Sequence, residues 1–268
     1  MRFPLALAVA SVCAALPVAA RAEGGVDWQR KVVTCTGSGA ANLRDAGSNP
    51  AVARIGAEKA AKLDALRNCL EAVKGVRIDS GQTAGNAMAS DQALSGKVQG
   101  LVKGFKVVGP PRYFSDGGVE LDVEVPLDGA LSDALLPKPA PKDEAKPEPK
   151  PAKSEGGAPL GTSLVVDARG QKVIPALAPR ILDEAGTEIY GPAQLSEAGR
   201  KAGGAVAYAN DLEGAKAPLK ARLGDKPFVV KAVRTQGSDV VISSADAAGL
   251  AGKDLGFLAD AKVVILAD

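Results

Sequence analysis

The most regular alternation of apolar and polar positions lies between residues 51 and 74. Apolar residues recur there at intervals that mostly fit three or four: Ile55, Leu63, Leu66, Leu70 and Val73. Charged side chains occupy the other side of the same stretch. This spacing predicts an amphipathic helix over residues 51–74, ended by Gly75. The predicted apolar face needs a second element to cover it.

Alternation with a period of two predicts strands on both sides of the helix. Val33 and Cys35 share one face of a strand over residues 31–36, and the glycines that follow are expected to end it. After the helix, alternating apolar residues occur in GVRIDS, GKVQGLVKGFKVVGPPRYF and GGVELDVEVPL. The last two are joined by a turn at Asp116 and Gly117. The pattern predicts one helix packed on an antiparallel sheet.

A change in composition divides the chain. Residues 135–160 are dense in Pro, Lys and Glu and have no apolar periodicity, which predicts a disordered, semi-rigid linker between two folded units. The predicted domains are therefore residues 23–134 and 161–268.

The second unit shows several short apolar runs. GTSLVVDARG predicts a strand, the following extended segments turn at residues 184–186, and an Ala-rich stretch is partly helical. A hairpin is expected around residues 236–238, and AKVVILAD at the end of the chain suits a central strand. The fold class is therefore α+β: two small domains, of which the second is rich in strands.

The first residues predict export. Arg2 precedes an apolar run, and Ala20 and Ala22 give the small-x-small pattern of a signal peptide cleaved after Ala22. A membrane anchor would need a longer run, and this one contains Pro17, so the pattern argues against anchoring. Lipidation at Cys13 is disfavoured because Val12 precedes it. The predicted location is the periplasm or the cell envelope.

Charge and cysteine content narrow the partners. Cleavage removes Arg2 and Arg21 and no acidic residue, which leaves 31 basic and 31 acidic side chains. A neutral protein is not suited to nucleic acid or to an anionic membrane surface. Cys35 and Cys69 remain, and either a disulfide or two buried thiols would fit an exported protein.

The residue types offer little for catalysis. The chain has no histidine, which excludes Ser-His-Asp and Cys-His mechanisms and His-based zinc sites. The carboxylate pairs, Asp183 with Glu184 and Asp211 with Glu213, are interpreted as turn residues. We therefore predict no catalytic residue, no cofactor and no metal. Candidates for a ligand or partner surface are polar residues in the strands and turns of the second unit: Asp167, Arg169, Tyr190, Tyr208 and Asp211.

The first unit also resembles a known family. The resemblance is carried by Ala57, Ala60, Ala61, Asp64, Ala65 and Leu70, followed by VKGVRID and then by VKGFKVV and YFSDGGVELDVEVPL. Over residues 28–130 the chain resembles the LPP lipoprotein family and the N-terminal domain of flagellar assembly protein T. The second unit looks like an uncharacterised C-terminal domain of envelope proteins. The resemblance implies an envelope protein that serves assembly, with a flagellar association in the periplasm, and it transfers no catalytic residue.

Three functions follow as hypotheses. The leading one is a non-enzymatic envelope protein that acts in assembly or structural interaction with protein partners. The alternative is a small-ligand or glycan-binding module in the second unit, with Arg169, Tyr190 and Asp211 in a concave site. Two converging carboxylates in a cleft would instead indicate a hydrolase that lacks histidine.

Overall fold

The computed structural model describes residues 25–40, 49–137 and 161–268. The predicted signal peptide with its cleavage site at Ala22, and residues 138–160 of the predicted linker, lie outside these ranges. The structure is mixed α+β, as the sequence predicts. None of the helices within these ranges is long and apolar enough to cross a membrane.

The first unit contains a 4-stranded antiparallel sheet with the order β1-β2-β4-β3. Its strands are β1 (Gly25–Asp27), β2 (Val32–Gly39), β3 (Lys106–Tyr113) and β4 (Val119–Pro126). Helix α1 (Pro50–Gly75) covers one face of this sheet, and α2 (Ala84–Ser90), α3 (Gln92–Val102) and α4 (Ala130–Leu135) follow along the chain. The predicted turn at Asp116 and Gly117 joins β3 to β4.

Helix α1 is confirmed, but its buried face differs from the predicted one. The buried residues recur every four positions: Ala53, Ala57, Ala61, Ala65, Cys69 and Val73. Ile55 and Leu63, assigned to the buried face from their spacing, are 53% and 69% exposed. The small residues face the core because β2 lies unusually close to the helix.

Two glycines allow this close approach. Gly37 and Gly39 lie inside β2, so the prediction that glycines end this strand is wrong. A Cβ at Gly37 would collide with the backbone of Ala61 and Ala65. Only glycine on the strand and alanine on the helix leave enough room for the two backbones.

The region after α1 also differs from the prediction. GVRIDS forms only one isolated bridge, between Arg77 and Thr83. Helix α3 includes residues 96–102, where the start of a strand was expected. Val98 and Val102 are buried one helical turn apart, and Asp91 caps the helix by accepting from the N–H of Leu94. A short apolar run of this kind is ambiguous between helix and strand.

The second unit contains a 7-stranded sheet with the order β7-β6-β10-β9-β5-β11-β8. Its strands are β5 (Ser163–Asp167), β6 (Ile181–Leu182), β7 (Glu188–Tyr190), β8 (Ala207–Ala209), β9 (Pro227–Gln236), β10 (Asp239–Ile242) and β11 (Val263–Leu266). Its short helices are α5 (Glu197–Lys201), α6 (Leu212–Ala215), α7 (Lys220–Leu223) and α8 (Ser244–Leu250). The predicted hairpin around residues 236–238 joins β9 to β10, and the predicted terminal strand is β11, between β5 and β8.

Strands β8, β11, β5 and β9 run parallel to one another. Their carboxyl ends therefore meet at one edge of the sheet. In open sheets of parallel strands, this edge is where ligands generally bind.

The two units pack against each other and share one apolar core. The N–H groups of Leu177 and Ala178 donate to the carbonyls of Arg77 and Ile78 at 3.0 and 2.7 Å. Leu135 and Leu136, assigned to the linker from composition, are buried in the core. The buried guanidinium of Arg200 in the second unit donates to the carbonyls of Leu136 and Pro137 at 3.0 and 2.7 Å.

Candidate functional site

Cys35 and Cys69 form a disulfide, which decides between the two alternatives that the sequence left open. Cys35 lies on β2 and Cys69 on the buried face of α1, with their Cα atoms 5.5 Å apart. Both residues are buried. The bond therefore fastens the helix to the sheet and gives neither cysteine a free thiolate.

The two tyrosines among the candidate residues belong to the core. Tyr190 is fully buried, and its hydroxyl donates to the carbonyl of Ala205 at 2.6 Å. The Tyr208 hydroxyl donates to the carbonyl of Ala176 at 3.0 Å and accepts from the Ala176 N–H at 2.9 Å. Burial raises the pKa of both phenols. The hydroxyl groups therefore serve the fold.

The other three candidates lie near the carboxyl ends of the parallel strands. Asp167 ends β5 and receives two hydrogen bonds from the Arg169 guanidinium, at 2.8 and 2.6 Å. This hydrogen-bonded guanidinium lowers the pKa of the Asp167 carboxyl. Asp211 follows β8 and accepts from the N–H of Gly214, which caps α6. Arg169 also interacts electrostatically with Asp211, so the structure brings these three residues together, apart from Tyr190.

The predicted carboxylate pairs have structural partners. Glu184 accepts hydrogen bonds from the N–H and the hydroxyl of Ser244, both at 2.8 Å. Asp183 accepts from the N–H of Thr187 at 2.7 Å. Glu213 pairs with Lys216 at 2.6 Å on an exposed surface. These contacts fit the interpretation of the acids as turn and cap residues.

A groove of about 420 Å³ lies at the same edge of the second sheet, between the two units. The turn after β1 supplies Asp27, Trp28 and Gln29, and the segments after β8 and β11 supply Asn210 and Asp268. Tyr208, a candidate from the sequence, also lines the groove. The other residues were not predicted, because they are distant from one another along the chain. The one available signal was the only tryptophan of the protein, which lies outside the predicted strands.

A second candidate surface consists of exposed apolar residues on the first unit. We call it the α1–hairpin surface, and its apolar members are Val52, Ile55 and Leu63 on α1 and Tyr113 and Phe114 at the end of β3. The Arg54 guanidinium lies 4.9 Å from the centre of the Tyr113 ring, and the Tyr113 hydroxyl donates to Glu58 at 2.6 Å. These contacts link the aromatic pair to the start of α1.

The charged residues beside this surface are mainly basic. Arg54, Lys59, Lys62 and Arg67 are exposed on α1. The nearby acids accept hydrogen bonds within the protein: Glu58 from Tyr113, Asp64 from the N–H of Ser38 at 2.9 Å, and the exposed Asp116, close to Phe114, from the N–H of Gly118 at 2.8 Å. The surface thus combines apolar side chains with exposed positive charge.

Comparison with known protein families gives a match in the second unit. Residues 163–268 match the family described as the second domain of Treponema pallidum Tp0624. The match covers less than half of the chain, and the description names a domain without an activity. No curated protein matches the chain.

Proposed function

We propose that the protein is an exported, non-enzymatic protein of the cell envelope that acts in assembly by binding a protein partner. The observation that carries the proposal is the α1–hairpin surface. Ile55 and Leu63 on the solvent side of α1, and Tyr113 and Phe114 beside the start of α1, keep large apolar side chains in water although the fold offers a core. Exposed apolar area favours an interaction site. A partner that suits this surface has apolar side chains and an acidic rim.

The compartment is proposed from separate observations. A disulfide between Cys35 and Cys69 is typical of an oxidising environment such as the periplasm. The sequence pattern of residues 1–22 supports export, and the resemblance to the flagellar assembly domain supports a role in envelope assembly, with the basal body as one location.

Photocrosslinking in cells tests the proposal. A photoreactive residue at position 63 or 114 of the full chain should capture an envelope protein, whereas one at Lys226, which is exposed on the second unit, should not. Identification of a basal-body or outer-membrane component by mass spectrometry would support the assembly role.

Substitutions provide the matched control. Leu63→Ser and Phe114→Ser remove apolar area from positions that are 69% and 48% exposed, so capture at position 55 should fall while the fold stays intact. Capture that is equally strong at Lys226, or recovery of the protein alone from every position, would contradict the proposal.

A second candidate function is binding of a small ligand or glycan. The groove beside Trp28 favours it, because pockets of a few hundred Å³ at unit junctions with an aromatic wall and a few polar groups are typical ligand sites. It uses Trp28, Asn210 and Asp268 rather than the combination of Arg169, Tyr190 and Asp211 expected from the sequence.

A further inference from the structure

The groove beside Trp28 has a rigid aromatic wall. Trp28 is partly exposed, and its ring meets the Tyr208 ring edge to face, with centroids 5.8 Å apart and planes at 71°. Tyr208 is held by both hydrogen bonds of its hydroxyl to Ala176. The orientation of this wall is therefore set before a ligand arrives, which lowers the entropic cost of binding.

The charged side chains that line the groove are both acidic. Asp27 and Asp268 contribute carboxylates, and no Lys or Arg is among the described residues of the lining. Two arginines interact with these carboxylates electrostatically, but each pairs elsewhere. Arg30 forms an ion pair with Glu124 at 2.9 Å, and Arg169 binds Asp167 through two hydrogen bonds. The side chains that line the groove therefore carry a net negative charge.

Each carboxylate is also fixed in position. One oxygen of Asp27 accepts from the N–H groups of Gln29 and Arg30 at 3.0 and 2.9 Å. One oxygen of Asp268 accepts from the N–H of Gly170. The Gln29 amide donates to the Asn210 side-chain oxygen at 2.7 Å across the junction of the two units. The polar groups of the groove are therefore held in position by partners within the protein.

We propose that this groove binds a small organic ammonium ion. A tryptophan ring attracts cations through its π face, and carboxylates that lack a basic partner in the lining strengthen that attraction. The volume of about 420 Å³ suits a ligand of the size of an amino sugar or choline. The inference rests on the second candidate function above and is independent of the α1–hairpin surface.

Fluorescence of Trp28 provides the test, since it is the only tryptophan of the chain. Choline and D-glucosamine are titrated into the full chain, each beside a neutral counterpart: 3,3-dimethylbutan-1-ol for choline and N-acetylglucosamine for glucosamine. We expect a saturable change with choline, with glucosamine or with both, and at least about tenfold weaker binding of the matching neutral compound.

Two substitutions test the role of charge. The double variant Asp27→Asn with Asp268→Asn keeps the oxygens that accept the backbone N–H groups and removes both negative charges. Ammonium affinity should fall by about tenfold or more, and higher salt should weaken binding to the unsubstituted protein. Near-UV circular dichroism of the variant checks that the Trp28 and Tyr208 rings remain packed.

The matched control is Asp116→Asn in the β3–β4 turn. Asp116 also accepts a backbone N–H, that of Gly118 at 2.8 Å. Asp116 lies near Val119, at one end of β4. At the other end of β4, Pro126 pairs with Val32, which directly follows the turn that carries Trp28. Its substitution should leave ammonium affinity unchanged.

The remaining outcomes separate this inference from the function on which it rests. Equal or tighter binding of a neutral compound would overturn the ammonium assignment and keep the groove as a ligand site. The absence of any saturable response to the four compounds up to roughly 10 mM would overturn both. Unchanged choline or glucosamine affinity in the double variant would place the ligand outside the groove.

Discussion

Gly37 and Gly39 set the distance between β2 and α1. Neither residue needs an unusual φ, so their role is to leave out a side chain where two backbones meet. Together with Cys35 they occupy alternate positions of β2 that face the alanines of α1. At the residue scale, the smallest side chains therefore fix the geometry of the first unit.

Gly37→Ala should destabilise the protein by about 1–3 kcal/mol, because its methyl group would force the strand away from the helix. The control is Gly56→Ala within α1, where nothing lies within 4 Å of the added Cβ. That change should stabilise the helix by up to about 1 kcal/mol. Urea unfolding measures both, and equal effects of the two substitutions would contradict the close-packing account.

Lys31 introduces a pH dependence at the junction of the units. Its ammonium group donates to the carbonyl of Ala202 at 3.1 Å, and burial together with the nearby Arg222 holds its pKa well below the usual value. The unfolded chain therefore binds the Lys31 proton more tightly than the folded protein does. Below the folded-state pKa of Lys31, this difference lowers the free energy of unfolding by its full amount. This loss of stability is relieved as pH rises from the folded-state pKa towards about 10.5.

Lys31→Met should therefore be more stable relative to the parent protein at pH 7 than at pH 10. Urea unfolding of both proteins across this range measures the difference. The backbone of Lys31 has a positive φ of 54°. Methionine, like lysine, is unbranched at Cβ, so the backbone strain at this position should be the same in both proteins and cancel in the comparison. A difference that stays constant with pH would contradict the assignment to Lys31.

Helix α1 has buried and exposed apolar positions, and the two have different roles. The buried residues Ala57, Ala61 and Ala65 pack against β2, while Ile55 and Leu63 point to water. Leucine and isoleucine are more hydrophobic than alanine, so the sequence pattern predicts that their side of α1 is buried. This prediction is wrong where the facing strand, β2, has glycine and packs closely against alanine. At the element scale, the identity of the facing strand decides which stripe is buried.

Ala61→Leu should destabilise the protein by about 1–3 kcal/mol through overpacking. Leu63→Ala, on the exposed side, should change stability by less than about 0.5 kcal/mol. Thermal unfolding of the two variants distinguishes the faces. A larger loss from Leu63→Ala would mean that the face predicted from the spacing is the buried one.

In the whole molecule, the two units pack around one shared apolar core. Leu177 and Ala178 extend the hydrogen bonding of Arg77 and Ile78, and Arg200 caps the end of α4. Cleavage at a protease site introduced between residues 138 and 160 should therefore leave the two fragments associated.

Size-exclusion chromatography after cleavage measures this association. Arg200→Ala removes the donors to Asp133, Leu136 and Pro137, and should weaken the association by about tenfold or more. Arg169→Ala is the control, because the hydrogen bonds of the Arg169 guanidinium go to Asp167 in its own unit. Fragments that separate in the parent protein would contradict a shared core.

The fold class, helix α1, the β3–β4 turn, the β9–β10 hairpin and the terminal strand β11 were all predicted from the amino-acid sequence alone. These features depend on local periodicity and turn residues, which a single chain displays directly. The sequence also placed Cys35 and Cys69 where a disulfide between strand and helix is feasible.

The buried face of α1, the helix over residues 96–102 where a strand was predicted, and the packing of the two units depend on the tertiary structure. Each depends on what a residue meets across space: Gly37 across from Ala61, or Arg200 beside Pro137. The groove has the same origin, because Trp28, Asn210 and Asp268 come together only where the carboxyl ends of parallel strands reach the turn after β1. The periodicity of apolar residues describes the spacing along a single helix or strand. A site of this kind depends on the distances between several helices, strands and turns.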